Sequence, residues 1–81
     1  MLYVTPGVIL KIKSVDVFAA LERHASCDWG LACDQDREAN EEALIHDFRI
    51  MSVYKDSKNT KFWIITEADR SVTTVLLPEE Y

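Results

Sequence analysis

Lys61-Phe62-Trp63-Ile64-Ile65-Thr66-Glu67 is the most strand-like stretch of this 81-residue chain and decides the fold. β-branched and aromatic residues dominate it, as they do in pleated strands. The flanking segments 49–55 and 71–77 have a similar composition, and short polar turns separate all three. We therefore predict a three-stranded antiparallel meander whose last strand ends at Pro78, because proline cannot donate to a strand ladder.

Upstream of the meander, the spacing of apolar residues predicts a helix from about residue 15 to 26. Ser14 can cap its N-terminus. Phe18, Leu21 and Ala25 follow at intervals of three and four residues, so they share one face of this helix.

A second helix is predicted from an Asp34 cap through about His46. Asn40, Leu44 and Phe48 align on one stripe of it. Residues 6–12 are ambiguous, because their composition suits a strand, whereas a threonine followed by a proline equally suits a helix start.

Length and composition limit the class of protein. An 81-residue chain is one globular domain at most, residues 1–81, since so short a chain buries only about 60–65% of its unfolded surface. Hydrophobic residues make up 48% and charged residues 28% of it, as in ordinary globular domains. The predicted fold is α+β, with two or three N-terminal helices packed on one face of the meander.

The charge balance bears on the choice of partner. Nine lysines and arginines against fourteen acidic residues give a net charge of -5 and a pI near 4.8. This balance opposes nucleic-acid binding, which depends on cations that neutralise phosphates. No leader or membrane-spanning stretch is visible, so we expect a cytoplasmic protein whose two cysteines stay reduced.

Residues 63–81, which read WIITEADRSVTTVLLPEEY, resemble a family of short bacterial proteins described as plasmid-related or hypothetical. The resemblance extends upstream and covers about nine-tenths of the chain. The upstream matches are Thr5-Pro6-Gly7, His24, Asp28-Trp29-Gly30, Asp36-Arg37, Asn40-Glu41, Ala43-Leu44 and Arg49. It implies a helical form for residues 6–12 and a link to mobile elements, and it implies no specific activity.

A zinc site is one alternative that the residue types raise. His24, Cys27, Cys33 and His46 are suitable ligands, but structural zinc sites usually pair ligands two to four residues apart, and only His24 and Cys27 meet that spacing. Members of the resembling family usually lack the two cysteines. We therefore predict no metal and no cofactor.

Catalysis is a second alternative. His24, Glu67 and Arg70 offer the acid, base and phosphate clamp of a small metal-independent ribonuclease of the toxin type. The competing interpretation is structural. In it His24 lies at a helix C-terminus, Asp28-Trp29-Gly30 makes a turn with the tryptophan in the core, and Arg70 pairs with Glu67 or Asp69 in a tight turn.

Binding is the interpretation we favour. The second helix carries Asp34, Asp36, Glu38, Glu41 and Glu42 against one arginine, and an acidic flank of this kind can dock on a basic protein surface. Asp69 and Arg70 on the rim of the meander complete the predicted binding residues. We expect a non-catalytic accessory factor that contacts an unidentified larger protein, and the oligomeric state is left open.

Overall fold

The computed structural model of the protein describes residues 1–81 and is of the α+β class. The strands are β1 (Leu2–Val4), β2 (Ile50–Lys55), β3 (Lys61–Thr66) and β4 (Thr73–Leu76). The helices are α1 (Pro6–Lys11), α2 (Ser14–Ala25) and α3 (Asp34–His46), and a 3-10 turn, Pro78–Glu80, follows β4. The ambiguous segment 6–12 is therefore helical, as the resemblance implies.

The three-stranded antiparallel meander is wrong, because the sheet has four strands in the order β1-β4-β3-β2. β2, β3 and β4 pair antiparallel in sequential order as predicted. β1 then adds to β4 in parallel, with Leu2 opposite Thr73 and Val4 opposite Val75.

The physical reason lies in the first residues of the chain. Leu2-Tyr3-Val4 has strand composition, and β4 would otherwise present a bare edge. Thr5 ends the strand by donating its N–H to the main-chain oxygen of Val75, over 3.1 Å. Its hydroxyl accepts a hydrogen bond from the N–H of Val8, and Pro6 occupies the first helical position, so α1 starts at once.

The main core lies between the sheet and the first two helices. Its nine buried residues are Val8, Ile12, Val17, Ala20, Tyr54, Phe62, Ile64, Val75 and Leu77. A smaller cluster of Trp29, Ala32, Ala43 and Ile50 lies beneath α3. The helix-facing strand positions are nearly all buried, while Met51, Val53 and Trp63 on the other face are half-buried.

The predicted face of α2 is wrong by one residue. Val17 and Ala20 are buried, whereas Phe18 is 63% exposed. The aromatic ring is the stronger hydrophobic signal in the sequence, but the smaller side chains allow α2 to lie close to the sheet.

The outer edge of β2 is covered by polar contacts. The Asn40 side chain donates to the main-chain oxygen of Met51 and accepts from its N–H, at 2.7 and 3.1 Å. Farther along, the N–H of Leu31 donates to the oxygen of Val53, and the Val53 N–H donates to the oxygen of Trp29. These contacts occupy backbone groups that an edge strand would otherwise expose.

Candidate functional site

The acidic face of α3 is made of Asp34, Glu38, Glu41 and Glu42, which share one exposed side of the helix. Asp36, predicted with them, is half-buried on the opposite side of the helix, where Asn40 and Ala43 are buried. Glu41 accepts a hydrogen bond from the Trp29 indole, and Glu42 lies 3.4 Å from His46. The carboxylates of Asp34, Asp36 and Glu38 have no ion-pair partner in the protein.

The one arginine of α3 does not offset this charge. Arg37 Nε donates to the main-chain oxygen of Ala32 over 2.9 Å, and its Nη2 donates to that of Gly30 over 2.7 Å. The guanidinium is thereby held at the preceding loop, so the acidic face keeps an excess of negative charge that a cationic partner can offset.

The C-terminal end of α3 is apolar and exposed. Leu44, Ile45 and Phe48 leave 42, 73 and 58% of their surface in solvent. Of the predicted stripe Asn40, Leu44 and Phe48, only Asn40 is buried, and the small Ala43 faces the core beside it. An apolar patch bordered by charged residues is the usual composition of a protein interface.

Arg70 and Asp69 lie beside this apolar end. Arg70 donates to the main-chain oxygens of Ala43 and Phe48, at 2.9 and 2.7 Å, so it closes the C-terminal end of α3. It also reaches the main-chain oxygen of Glu67, at 3.2 Å. The predicted pairing of Arg70 with an acidic side chain is therefore wrong, because the guanidinium donates to three main-chain carbonyls instead.

Asp69 has a local role in the same turn. Its carboxylate accepts hydrogen bonds from the hydroxyl and the N–H of Ser71, at 2.6 and 3.0 Å. These bonds, that from the hydroxyl first, lower the pKa of Asp69. Through the Arg70 hydrogen bonds this turn lies next to the C-terminal end of α3.

His24 lies in a hydroxyl cluster on the helix-facing side of the sheet. Its Nδ1 is 2.5 Å from the Ser52 hydroxyl and its Nε2 is 2.8 Å from that of Thr66, which in turn lies 2.9 Å from the Thr73 hydroxyl. Burial lowers the pKa of His24, so the ring is neutral at pH 7. Both ring nitrogens have partners within the protein, and Ser52 is fully buried.

The segment after His24 follows its structural interpretation. Trp29 is 4% exposed and belongs to the second core cluster, and Gly30 has a φ of +66°. Asp28 accepts hydrogen bonds from Arg23 and from the N–H of Gly30, and these lower its pKa. His24 is bonded to Thr66, the residue before Glu67, and the one groove of the protein is lined by neither His24 nor Glu67.

The four residues weighed as zinc ligands are not gathered. Cys27 and Cys33 are exposed free thiols, His24 is bonded to hydroxyls, and His46 lies beside Glu42. No group of three or more histidine, cysteine or acidic residues is close enough to hold a metal ion.

A groove that the sequence interpretation missed lies over β1, on the side of α1 and α2. It has a volume of about 520 Å³ and is lined mainly by apolar residues. The lining residues include Leu2 and Val4 of β1, Ile9 of α1 and Phe18 of α2. The sequence signal for this groove is the apolar run Val8-Ile9-Leu10. A short helix cannot bury three consecutive residues on one face, so some of this run must be exposed.

Comparison of the chain with protein-family models, curated proteins and solved structures gives no significant match. None of the helices is both long enough and apolar enough to cross a bilayer.

Proposed function

We propose that the protein is a small non-catalytic binding domain whose α3 docks on a basic surface of a larger protein. The observation that carries the proposal is the withdrawal of Arg37 to the carbonyls of Ala32 and Gly30, which leaves Asp34 and Glu38 of the acidic face without a cation. A partner that supplies lysines or arginines restores the balance.

The neighbouring apolar end of α3 supplies the second part of the contact. Leu44, Ile45 and Phe48 give a surface whose burial stabilises a complex, whereas the carboxylates guide its approach and orientation. Charges at such a rim act within a Debye length of about 8 Å at physiological salt. The complex should therefore form more slowly as salt is added.

Asp69 and Arg70 are included in this proposed surface because their turn lies beside the apolar end of α3. The turn that holds them is tied to Ala43 and Phe48, so it forms the border of the apolar patch. The contribution we propose for Arg70 is to hold the end of α3 in place, with Asp69 adding one more exposed carboxylate.

No observation favours the ribonuclease alternative over binding. The guanidinium of Arg70 is engaged by three carbonyls, which leaves little of it to clamp a phosphate. His24 has hydroxyl partners on both nitrogens, and a general acid must reach its substrate within about 3 Å.

The biological setting is proposed on the resemblance of residues 63–81 and the upstream matches. We propose membership of the plasmid-related bacterial family, a cytoplasmic location and a role as an accessory factor of a mobile element. The proposed partner is then a basic protein encoded with that element.

Affinity capture with the intact chain tests the binding surface. Glu38→Lys reverses one unpaired charge of the acidic face, and Ile45→Ser removes one exposed apolar side chain. The matched control for charge is Glu22→Lys on exposed α2. We expect a protein captured by the parent and by Glu22→Lys to be lost with Glu38→Lys and weakened with Ile45→Ser. Equal capture by all four proteins would reject α3 as the binding surface.

Incubation with single-stranded RNA in the presence of a chelator tests the alternative. We expect no cleavage above a protein-free control. Cleavage that disappears in His24→Gln while the circular dichroism spectrum is unchanged would establish the ribonuclease and overturn the binding proposal.

A further inference from the structure

The helix layer of this fold is incomplete over one half of the sheet. Strands lie about 4.8 Å apart and a helix is about 10 Å wide, so four strands need two helices to cover one face. α2 lies over β2 and β3, where His24 meets Ser52 and Thr66. Over β4 and β1 there is only α1, whose six residues span about 9 Å. The groove is the part of this layer that α1 leaves open.

The floor of the groove ends at an unpaired strand edge. Met1 and Thr5 use their O and N–H groups to bond Thr73 and Val75 of β4. Because backbone groups alternate in direction along a strand, the N–H and C=O groups of Leu2 and Val4 point away from β4. Four backbone groups are therefore free at the outer edge of β1.

This edge has few of the usual protections. β1 is short, but it contains no charge, proline or bulge, which are the features that keep edge strands from pairing. The opposite edge of the sheet, β2, is covered by Asn40 and by residues 29–31. Only the β1 edge is open to another strand.

We propose that the β1 edge pairs with the same edge of a second copy of this chain. Antiparallel pairing about a two-fold axis at Tyr3 sets Leu2 of each copy opposite Val4 of the other. In that register all four free groups form hydrogen bonds, since residues that flank the axis by one position exchange both their N–H and C=O bonds. The product is a continuous eight-stranded sheet.

The same pairing joins the two grooves. Leu2 and Val4 line the groove, so their side chains lie on the helix side of the sheet, and Tyr3 lies on the other side. The paired β1 strands then form a common apolar floor, with Phe18 and Ile9 of both copies on the same side. Each copy supplies the wall that the other one lacks.

The exposed apolar area is of the size that a specific dimer needs. Leu2, Tyr3, Ile9 and Phe18 leave 47, 53, 68 and 63% of their surface in solvent, and their sequence neighbours Met1 and Leu10 leave 76 and 85%. At roughly 150 Å² per free side chain, the low end of the range for aromatic residues, these six offer on the order of 600 Å² per copy. Specific interfaces begin near this value, at roughly 600–800 Å² per partner.

Sedimentation equilibrium of the intact chain over about 10 µM to 1 mM is the first test, because an interface at the small end of the range gives a weak dimer. We expect a mass that rises toward twice the 9.3 kDa of one chain. Phe18→Ser should weaken association at least tenfold. Phe48→Ser is the matched control, because it makes the same change at a similarly exposed ring beside α3. It should leave the dimer intact.

Disulfide trapping tests the register, in a Cys27→Ser, Cys33→Ser background. Tyr3→Cys places two thiols at a pair whose Cα atoms are about 4.5 Å apart, within the range a disulfide allows. Thr74→Cys is the control, because Thr74 pairs directly with Tyr3 and shares its face but would lie about 14 Å from its copy, three strand spacings. We expect a cross-linked dimer from Tyr3→Cys alone.

A monomer at every concentration, equal effects of Phe18→Ser and Phe48→Ser, or equal cross-linking of the two cysteine variants would each overturn the dimer. The α3 surface lies on other elements. Loss of the dimer therefore leaves partner capture through α3 unchanged, and failure of that capture leaves the dimer unchanged.

Discussion

Arg70 closes the C-terminal end of α3 by donating a hydrogen bond from Nη2 to the main-chain oxygen of Ala43, over 2.9 Å. The arginine has a φ of +64°, a conformation that costs a side-chain-bearing residue about 1 kcal/mol. The hydrogen bonds to the end of the helix therefore hold a strained turn in place.

Replacing Arg70 separates these two effects. Arg70→Ala should lower the free energy of unfolding by roughly 1.5–3 kcal/mol, because it removes charged donors to helix carbonyls. Arg70→Gly loses the same bonds but relieves the backbone, so it should be about 1 kcal/mol more stable than Arg70→Ala. Urea unfolding with equal m-values measures both, and equal stability of the parent and Arg70→Ala would contradict the role described.

Gly30→Ala should prevent stable folding. A Cβ at this position would collide with the main-chain oxygen of Val53 and lie 2.7 Å from the Tyr54 ring, at a positive φ. We expect a loss of more than about 4 kcal/mol. Gly7→Ala is the milder comparison: its Cβ would lie 2.7 Å from the Glu80 carboxylate, a side-chain end that can move, and a gain in helix propensity of about 1 kcal/mol offsets part of the hydrogen bonding that the shift loses. Thermal unfolding should show a small drop in midpoint for Gly7→Ala and no cooperative transition for Gly30→Ala.

The two tryptophans should differ in their contribution to stability. Trp29 is buried in the second core cluster, whereas Trp63 is half-buried and packs edge-on against Tyr81 at 5.5 Å. Trp29→Ala should cost roughly 3–5 kcal/mol. Trp63→Ala should cost less, and the protein should remain cooperatively folded. A larger loss from Trp63→Ala in chemical denaturation would show that its face of the sheet belongs to the core.

The protein should become less stable as the pH is lowered, because His24 titrates. Burial lowers its pKa in the folded protein, so the unfolded chain binds the proton more readily. The resulting stability is fully present above about pH 6.5 and is lost as pH falls from there through the lower folded pKa. As the pH is lowered from about 7.5 to 5, the thermal unfolding midpoint of the parent should decline, and that of His24→Gln should decline less. His46→Gln, a change at an exposed histidine, is the control and should decline as the parent does. Parallel curves for the parent and both variants would contradict this.

Glu80 should stabilise the protein at pH values where its carboxylate is ionised. It accepts hydrogen bonds from the Thr5 hydroxyl, the Leu77 N–H and the Gly7 N–H, at 2.6, 2.8 and 3.2 Å. These bonds, that from Thr5 first, lower its pKa. Its stabilisation is present above the unfolded pKa of about 4.3 and is lost as pH falls through the folded value. Glu80→Gln should therefore be less stable than the parent at pH 7, with the difference shrinking in strong acid.

Local patterns predicted the elements that form locally. Strand composition predicted the segments of β2 and β3. The limits of α3 agree with the prediction, although Asp34 is its first helical residue and not the predicted cap, which is Cys33. β1 was missed because three residues give too short a pattern, and its pairing with β4 bridges about seventy residues of chain that leave no local mark.

The site was harder to predict than the elements. The acidic residues of α3 can be read directly from the sequence. The direction in which the Arg37 side chain points, however, depends on where the carbonyls of Gly30 and Ala32 lie in the fold. The groove depends on a missing cover over β1, which no periodicity records. Phe18 misled the assignment of the α2 face because an exposed ring and a buried ring look alike in sequence.

The parallel pairing of β1 with β4 also sets the order in which the protein can form during synthesis. About seventy residues separate β1 from β4, so β1 is synthesised well before its partner strand and cannot pair with it until β4 has been made. Contacts this distant in sequence also pay the largest loop-closure entropy. Until β4 has been made, Leu2-Tyr3-Val4 is therefore an apolar segment without its strand partner.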